Sequence, residues 1–163
     1  MAIDTVNDLL ARLGALLGLG ALQFDEQGAL GLNIDGRLTL GIQYDPNRER
    51  VLIYADLGAL PAGPLQTTLL IRMLQVSLFG RLTAGGALGL APDLDPEKPL
   101  RIVLWKAMDV AALDLPALEQ GLRQFIDAID DWQEALPEWT EGAILEEPGA
   151  VNFAFDPAMG IRV

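Results

Sequence analysis

The chain contains no cysteine and no histidine. Without cysteine there is no disulfide, no thiolate zinc site and no thiol nucleophile. Without histidine the commonest general base, the commonest metal ligand and the side chain that titrates near neutrality are all missing. The single serine, Ser77, lies in Leu74-Gln75-Val76-Ser77-Leu78-Phe79-Gly80. That stretch is not a Gly-x-Ser-x-Gly elbow, and no histidine exists to activate the hydroxyl, so a Ser–His–Asp hydrolase is excluded. Positive charge is scarce as well: 11 Lys and Arg stand against 23 Asp and Glu, a net charge of −12. Such a surface repels phosphate backbones and anionic headgroups, so neither nucleic acid nor membrane insertion is expected. No apolar run approaches the roughly 18 residues that span a bilayer. The first residues, Met1 to Asp8, carry acids where a signal peptide carries a basic region, so a cytoplasmic location is expected.

What is present suits one globular domain. The 163 residues are 51% apolar, enough to bury a core at this length. After Asp4, a candidate cap, Val6, Leu9, Leu10, Leu13, Leu16 and Leu17 recur at helical spacing until Gly18 and Gly20. From Leu22 to Tyr44 the period shifts towards two. Leu22–Phe24, Ala29–Ile34 and Leu38–Tyr44 read as antiparallel strands separated by Asp25-Glu26-Gln27-Gly28 and Asp35-Gly36. Arg50–Ala55 follows the Asp45–Arg48 turn as a further strand. Leu65 to Phe79 is a helix with apolar residues on two faces: Leu65, Leu69, Met73 and Val76 on one, Leu70, Leu74 and Leu78 on the other. A helix apolar on two sides needs two partners, the sheet and a second copy of the chain. Leu82–Ala91 is a glycine-rich strand candidate and Leu100–Lys106 another. Asp114 with Pro116 opens the clearest amphipathic helix, in which Leu118, Leu122, Phe125, Ile129, Trp132 and Leu136 are spaced four, three, four, three, four. Residues 1–136 therefore form the domain. Residues 137–163 form an acidic, proline-containing extension, in which Val151-Asn152-Phe153-Ala154-Phe155 alternates and is expected to add a strand or dock on a groove.

No constellation carries chemistry. Asp93-Leu94-Asp95-Pro96-Glu97 lacks the sixth-position glycine and the closing glutamate of a calcium loop, and reads as a solvated turn. Asp127, Asp130 and Asp131 fall on the outer face of the last helix. Gly85-Gly86-Ala87-Leu88-Gly89 is followed by neither a lysine nor a helix, so it is no phosphate cradle. The reading is of a protein that is not an enzyme and holds no cofactor and no metal.

The order of elements resembles the class I chaperones of type III secretion, the Tir chaperone family. The resemblance rests on Leu22-Gln23-Phe24-Asp25-Glu26-Gln27-Gly28, the Leu32–Leu40 hairpin, Tyr54-Ala55-Asp56-Leu57-Gly58, Leu69-Leu70-Ile71-Arg72-Met73-Leu74-Gln75 and Leu88-Gly89-Leu90, and covers residues 3 to 136. It implies an α+β fold, a twisted antiparallel sheet of about five to six strands with three helices in the order α-β-β-β-β-α-β-β-α, and a homodimer. It also implies a function. The protein would bind an extended N-terminal segment of a secreted effector in the bacterial cytoplasm and keep it soluble and secretion-competent. The implied effector contacts are Leu10, Leu13, Leu17, Phe24, Leu32, Ile34 and Leu40, and the implied dimer contacts are Leu69, Met73, Val76 and Leu82. The alternatives are a small-molecule-binding or enzymatic α+β domain using carboxylates, and a dimeric adaptor module of a secretion apparatus.

Overall fold

Short apolar runs divided by turn-forming residues build one antiparallel sheet, and the longer runs of helical period cover one side of it. A computed structural model describes residues 2–34, 36–92 and 97–140. Its elements are α1 (Ala2–Leu17), β1 (Ala29–Ile34), β2 (Leu38–Asp45), β3 (Arg50–Ala59), α2 (Leu65–Ser77), β4 (Ala87–Ala91), β5 (Arg101–Asp109) and α3 (Leu115–Thr140). Strand order is β1-β2-β3-β5-β4, with every neighbouring pair antiparallel.

The turns follow from their side chains. The Asp25 carboxylate accepts hydrogen bonds from the backbone N–H groups of Gln27 and Ala29, each at 2.9 Å. Asn33 Oδ1 accepts from Gly36 N–H at 2.8 Å, and Gly36 takes the left-handed conformation that the tight β1–β2 hairpin requires. Asp45 accepts from Asn47 N–H at 3.0 Å before β3 begins. At the other end of the chain, Asp114 caps α3 by accepting from Ala117 N–H at 2.8 Å.

Four expectations need correction. Leu22–Phe24 is not a strand, so three strands rather than four precede α2 and the sheet has five. The reason is local: Phe24 N–H donates to Asn7 Oδ1 at 2.9 Å, which ties the segment to α1 instead of to a strand. Asp4 lies within the first turn of α1 and does not precede it; an acid there still favours the helix N-terminus. Of the candidate Leu82–Ala91 only Ala87–Ala91 is a strand, because Phe79, Gly80, Ala84 and Gly85 all adopt positive φ and coil the preceding stretch into tight turns. Finally, α3 continues past Pro137 to Thr140. The calcium-loop-like positions Asp93–Pro96 and the extension from Glu141 onward lie outside the described residues.

The core lies between the sheet and the helices. Val6, Leu10 and Leu13 of α1 and Leu118, Phe125 and Ile129 of α3 bury completely with Leu40, Ile42, Val51, Ile53 and Leu104 of the sheet. The four-three spacing of α3 does what it predicts, and all six residues of its stripe are buried. α2 sits beside β4 and also touches α3. The lone serine acts here: Ser77 Oγ accepts from Leu88 N–H at 2.9 Å and joins the end of α2 to β4.

Candidate functional site

In β3 and β5 the residues that alternate with the core point to the side of the sheet that, among the described residues, no helix covers. An antiparallel sheet of this kind ordinarily reads apolar inward and polar outward. Here β3 presents Leu52 and Tyr54, and β5 presents Val103, Trp105 and Ala107. Tyr54 and Trp105 are directly opposed, and the same row continues through Gly41 and Gly31 on one side and Ala87 on the other. Tyr54 is 41% exposed and Trp105 43%.

A glycine makes room for the Tyr54 ring. A Cβ at Gly41 would collide with the Tyr54 ring, and one at Gly89 would lie 3.6 Å from Trp105 Nε1. The Tyr54 ring therefore lies over the bare backbone of Gly41, and both aromatic residues keep part of their surface exposed. An aromatic face of this sort gives large apolar contact at a small entropic cost. Each end of the strip carries an ion pair: Arg50 Nε–Asp109 Oδ1 at 2.7 Å and Arg101 Nη2–Asp56 Oδ2 at 2.7 Å. Between Tyr54, Gly31, Gly41, Arg101 and Val103 lies a shallow hollow of about 740 Å³. It is open and apolar, of a shape that receives an extended chain better than a small molecule.

Two further apolar surfaces are uncovered in the protomer. On α2, Ile71 and Leu74 lie three residues apart and are exposed, and Leu78 and Phe79 in the turn just after the helix are exposed as well; Leu74 is 75% exposed and Phe79 74%. At the end of α1, Leu16, Leu17 and Leu19 are exposed.

The structure divides the expected contact residues. Leu10, Leu13 and Leu40 have no accessible surface, and Phe24 and Leu32 are buried as well, so all five are core residues here; Leu17 is exposed and Ile34 is half-buried. The expected dimer set splits in the same way. Leu69 and Met73 are buried, while Val76 is half-buried and Leu82 exposed, both beside α3. The two-sided apolarity of α2 is present, but the face built on Leu69 and Met73 takes the core and leaves the Leu74 face free. Tyr54 and Trp105 were missed. The available signal was that β3 and β5 are apolar at successive positions, as in strands covered on both faces, in a chain with too few helices to cover both.

Among the described residues no three acids gather closely enough to hold a metal ion, and no helix is long and apolar enough to cross a membrane. Burial lowers the pKa of Lys106.

The chain is similar to known proteins in family and in fold. The family model described as the Tir chaperone protein (CesT) family matches residues 8–133. Among solved structures, the crystal structure of the ExsC–ExsE complex has a chain with TM-score 0.67 and 24% identity, covering 82% of this chain and 95% of that one. A chain of the HopA1–SchA chaperone–effector complex has TM-score 0.62 and 25% identity, covering 80% and 94%. A chain of the ExoU–SpcU complex, from the type III secretion system of Pseudomonas aeruginosa, has TM-score 0.53 and 23% identity, covering 82% and 96%. Among curated protein sequences none matches.

Proposed function

Because this chain belongs to the Tir chaperone protein (CesT) family, we propose that it is a type III secretion chaperone, which binds an extended N-terminal segment of an effector in the bacterial cytoplasm and keeps it soluble and ready for secretion. The observation that carries this reading is the uncovered apolar strip of Leu52, Tyr54, Val103 and Trp105. Each 100 Å² of apolar surface removed from water contributes about 2.5 kcal/mol. A segment held along the strip thus gains affinity from contacts that a collapsed client would bury within itself, and no nucleotide or catalytic group is needed. The client's conformational entropy opposes binding, which is why flat, pre-ordered aromatic rings serve better than flexible side chains. The net charge of −12 favours a client segment with basic residues at its rim.

In this reading the chain acts as a homodimer. The outward Ile71 and Leu74 of α2, with Leu78 and Phe79 in the turn that follows it, supply the self-complementary contact that a twofold axis requires. Leu17, with Leu16 and Leu19, extends the client surface at the end of α1. Residues 1–136 carry these functions as one unit, with 137–163 as an extension.

The test is co-expression with the candidate secreted protein, followed by co-purification and limited proteolysis. A stable complex that protects an unstructured stretch near the client's N-terminus is expected. Protection of a folded client domain would assign the chain to the adaptor class instead, and absence of any complex would overturn the proposal.

A further inference from the structure

Strands β1 to β4 each contain one glycine, and three of the four answer to something in the fold. Gly41 lies under the Tyr54 ring, Gly58 takes a φ of 127° at the bulge of β3 against β5, and a Cβ at Gly89 would come up against Trp105. Gly31 of β1 has no such reason. Its φ is not positive, and a Cβ there would meet nothing within 4 Å among the described residues. A glycine inside a strand costs backbone entropy and gives up cross-strand contacts, so Gly31 weakens β1 without return to the fold. A strand glycine that the fold does not use marks a place where something from outside comes close to the backbone.

The surroundings of Gly31 say what would fit. It pairs with Gly41 across β1 and β2, and both line the shallow hollow beside Tyr54. The Tyr54 atoms nearest to Gly41 are Cζ, Cε1 and Cε2, so the ring reaches from β3 over β2 with its hydroxyl end towards β1. An aromatic ring laid over a neighbouring strand's glycine restores the contacts that the glycine lacks. Tyr54 does this for β2, while the glycine of β1, one strand spacing of about 4.8 Å further on, stays bare. β1 is also an edge strand, which opens the place from the side. The acids of the hollow are already engaged: Asp56 with Arg101 and the Gly58 N–H, Asp25 with the N–H groups of Gln27 and Ala29. The place therefore suits an uncharged guest.

We propose that Gly31 is the floor of an anchor subsite for one aromatic side chain of the client's extended segment. A guest ring against the Gly31 backbone does for β1 what Tyr54 does for β2. It also stands beside the hydroxyl end of Tyr54, with the two ring centres inside the roughly 4.5–7 Å over which aromatic pairs attract. Any side chain at position 31 would occupy the guest's place, which is why glycine serves there. The inference rests on the chaperone reading of the open face and adds the client's chemistry to it: the segment carries an aromatic residue where it passes β1.

The probes are three capped peptides, Lys-Thr-Ala-Xaa-Ala-Thr-Lys with Phe, Leu or Ala at Xaa, titrated into the full chain and followed by amide NMR. The Phe peptide is expected to shift the Gly31 and Gly41 amides, to bind about threefold tighter than the Leu peptide and at least about tenfold tighter than the Ala peptide. Gly31→Val is expected to keep or raise the unfolding midpoint, since its side chain enters open space in a strand, and to weaken the Phe peptide at least about tenfold. Gly31→Ala is expected to give a smaller loss in the same direction. A Leu or Ala peptide that binds as tightly as the Phe peptide overturns the proposal. So do shifts that leave Gly31 and Gly41 untouched, and a Gly31→Val protein that binds the Phe peptide unchanged. Co-purification with the candidate secreted protein keeps the two readings apart: a complex that forms equally well with Gly31→Val removes the anchor alone, whereas no complex with the natural chain removes the chaperone reading.

Discussion

The two faces of the sheet are built from the same strands and nearly the same kinds of residue, yet they do different work. On the helix-covered face Leu40, Ile42, Val51, Ile53 and Leu104 are sealed by α1 and α3. On the open face Leu52, Tyr54, Val103 and Trp105 stand one residue out of phase, and among the described residues no helix lies over them. An apolar side chain sealed by its own fold contributes stability. The same kind of side chain left uncovered contributes nothing further to folding, and its burial remains available to a partner. In the proposed function stability and binding fall to alternate residues of one strand, and neighbouring substitutions separate them.

Leu104 and Trp105 make the sharpest pair. Leu104→Ala is expected to destabilise the protein by about 2–5 kcal/mol in denaturant unfolding, the range for a buried leucine that leaves a cavity. Trp105→Ala is expected to weaken client binding by about 2 kcal/mol, roughly 30-fold, in calorimetry, while shifting the unfolding midpoint less than Leu104→Ala does. If the two variants exchanged these effects, the division of labour between the faces would be wrong. Leu74→Glu places a charge on the outward face of α2. It is expected to shift the protein to a monomer in light scattering without loss of fold, because a charge buried unpaired at an interface costs several kcal/mol and in the free protomer costs little. Ser77→Ala removes the acceptor for Leu88 N–H at the margin between the covered face and α2, and is expected to cost about 1 kcal/mol in the same unfolding experiment. Arg37→Ala breaks the exposed pair with Asp130, in which Arg37 Nη1 lies 2.7 Å from Oδ1, and is expected to cost no more than about 1 kcal/mol, less at high salt.

Much of this architecture is legible along the chain. The turns around Asp25, Gly36 and Asp45 mark three strands, because each places a side chain or a glycine where the backbone needs an acceptor or a positive φ. The stripe from Leu118 to Leu136 identifies α3 and its buried side without ambiguity. The failures have physical causes too. Leu22–Phe24 has the composition of a strand, but Asn7, seventeen residues away, takes its backbone N–H. The first helix displays Leu10 and Leu13 next to Leu16 and Leu17, and spacing alone does not say that the former pair lies under α3's territory while the latter runs past the end of the core. In α2 the apolar residues form two stripes of equal merit, and only contact with the core distinguishes Leu69 and Met73 from Leu74 and Leu78.

The sequence by itself determined the classes of chemistry that are closed to this protein, the kinds of element it forms and the surplus of apolar surface that its helices have to cover. Absent side chains and hydrophobic period are properties of the chain, independent of how it packs. The tertiary structure decided which half of that surplus is covered. Three helices seal one face of a five-stranded sheet, and the choice between two equally apolar faces rests on packing between segments far apart in the chain, which no local pattern encodes. The surface left over, with the Tyr54 ring lying across Gly41 and Trp105 opposite it, is the one proposed here to take the client.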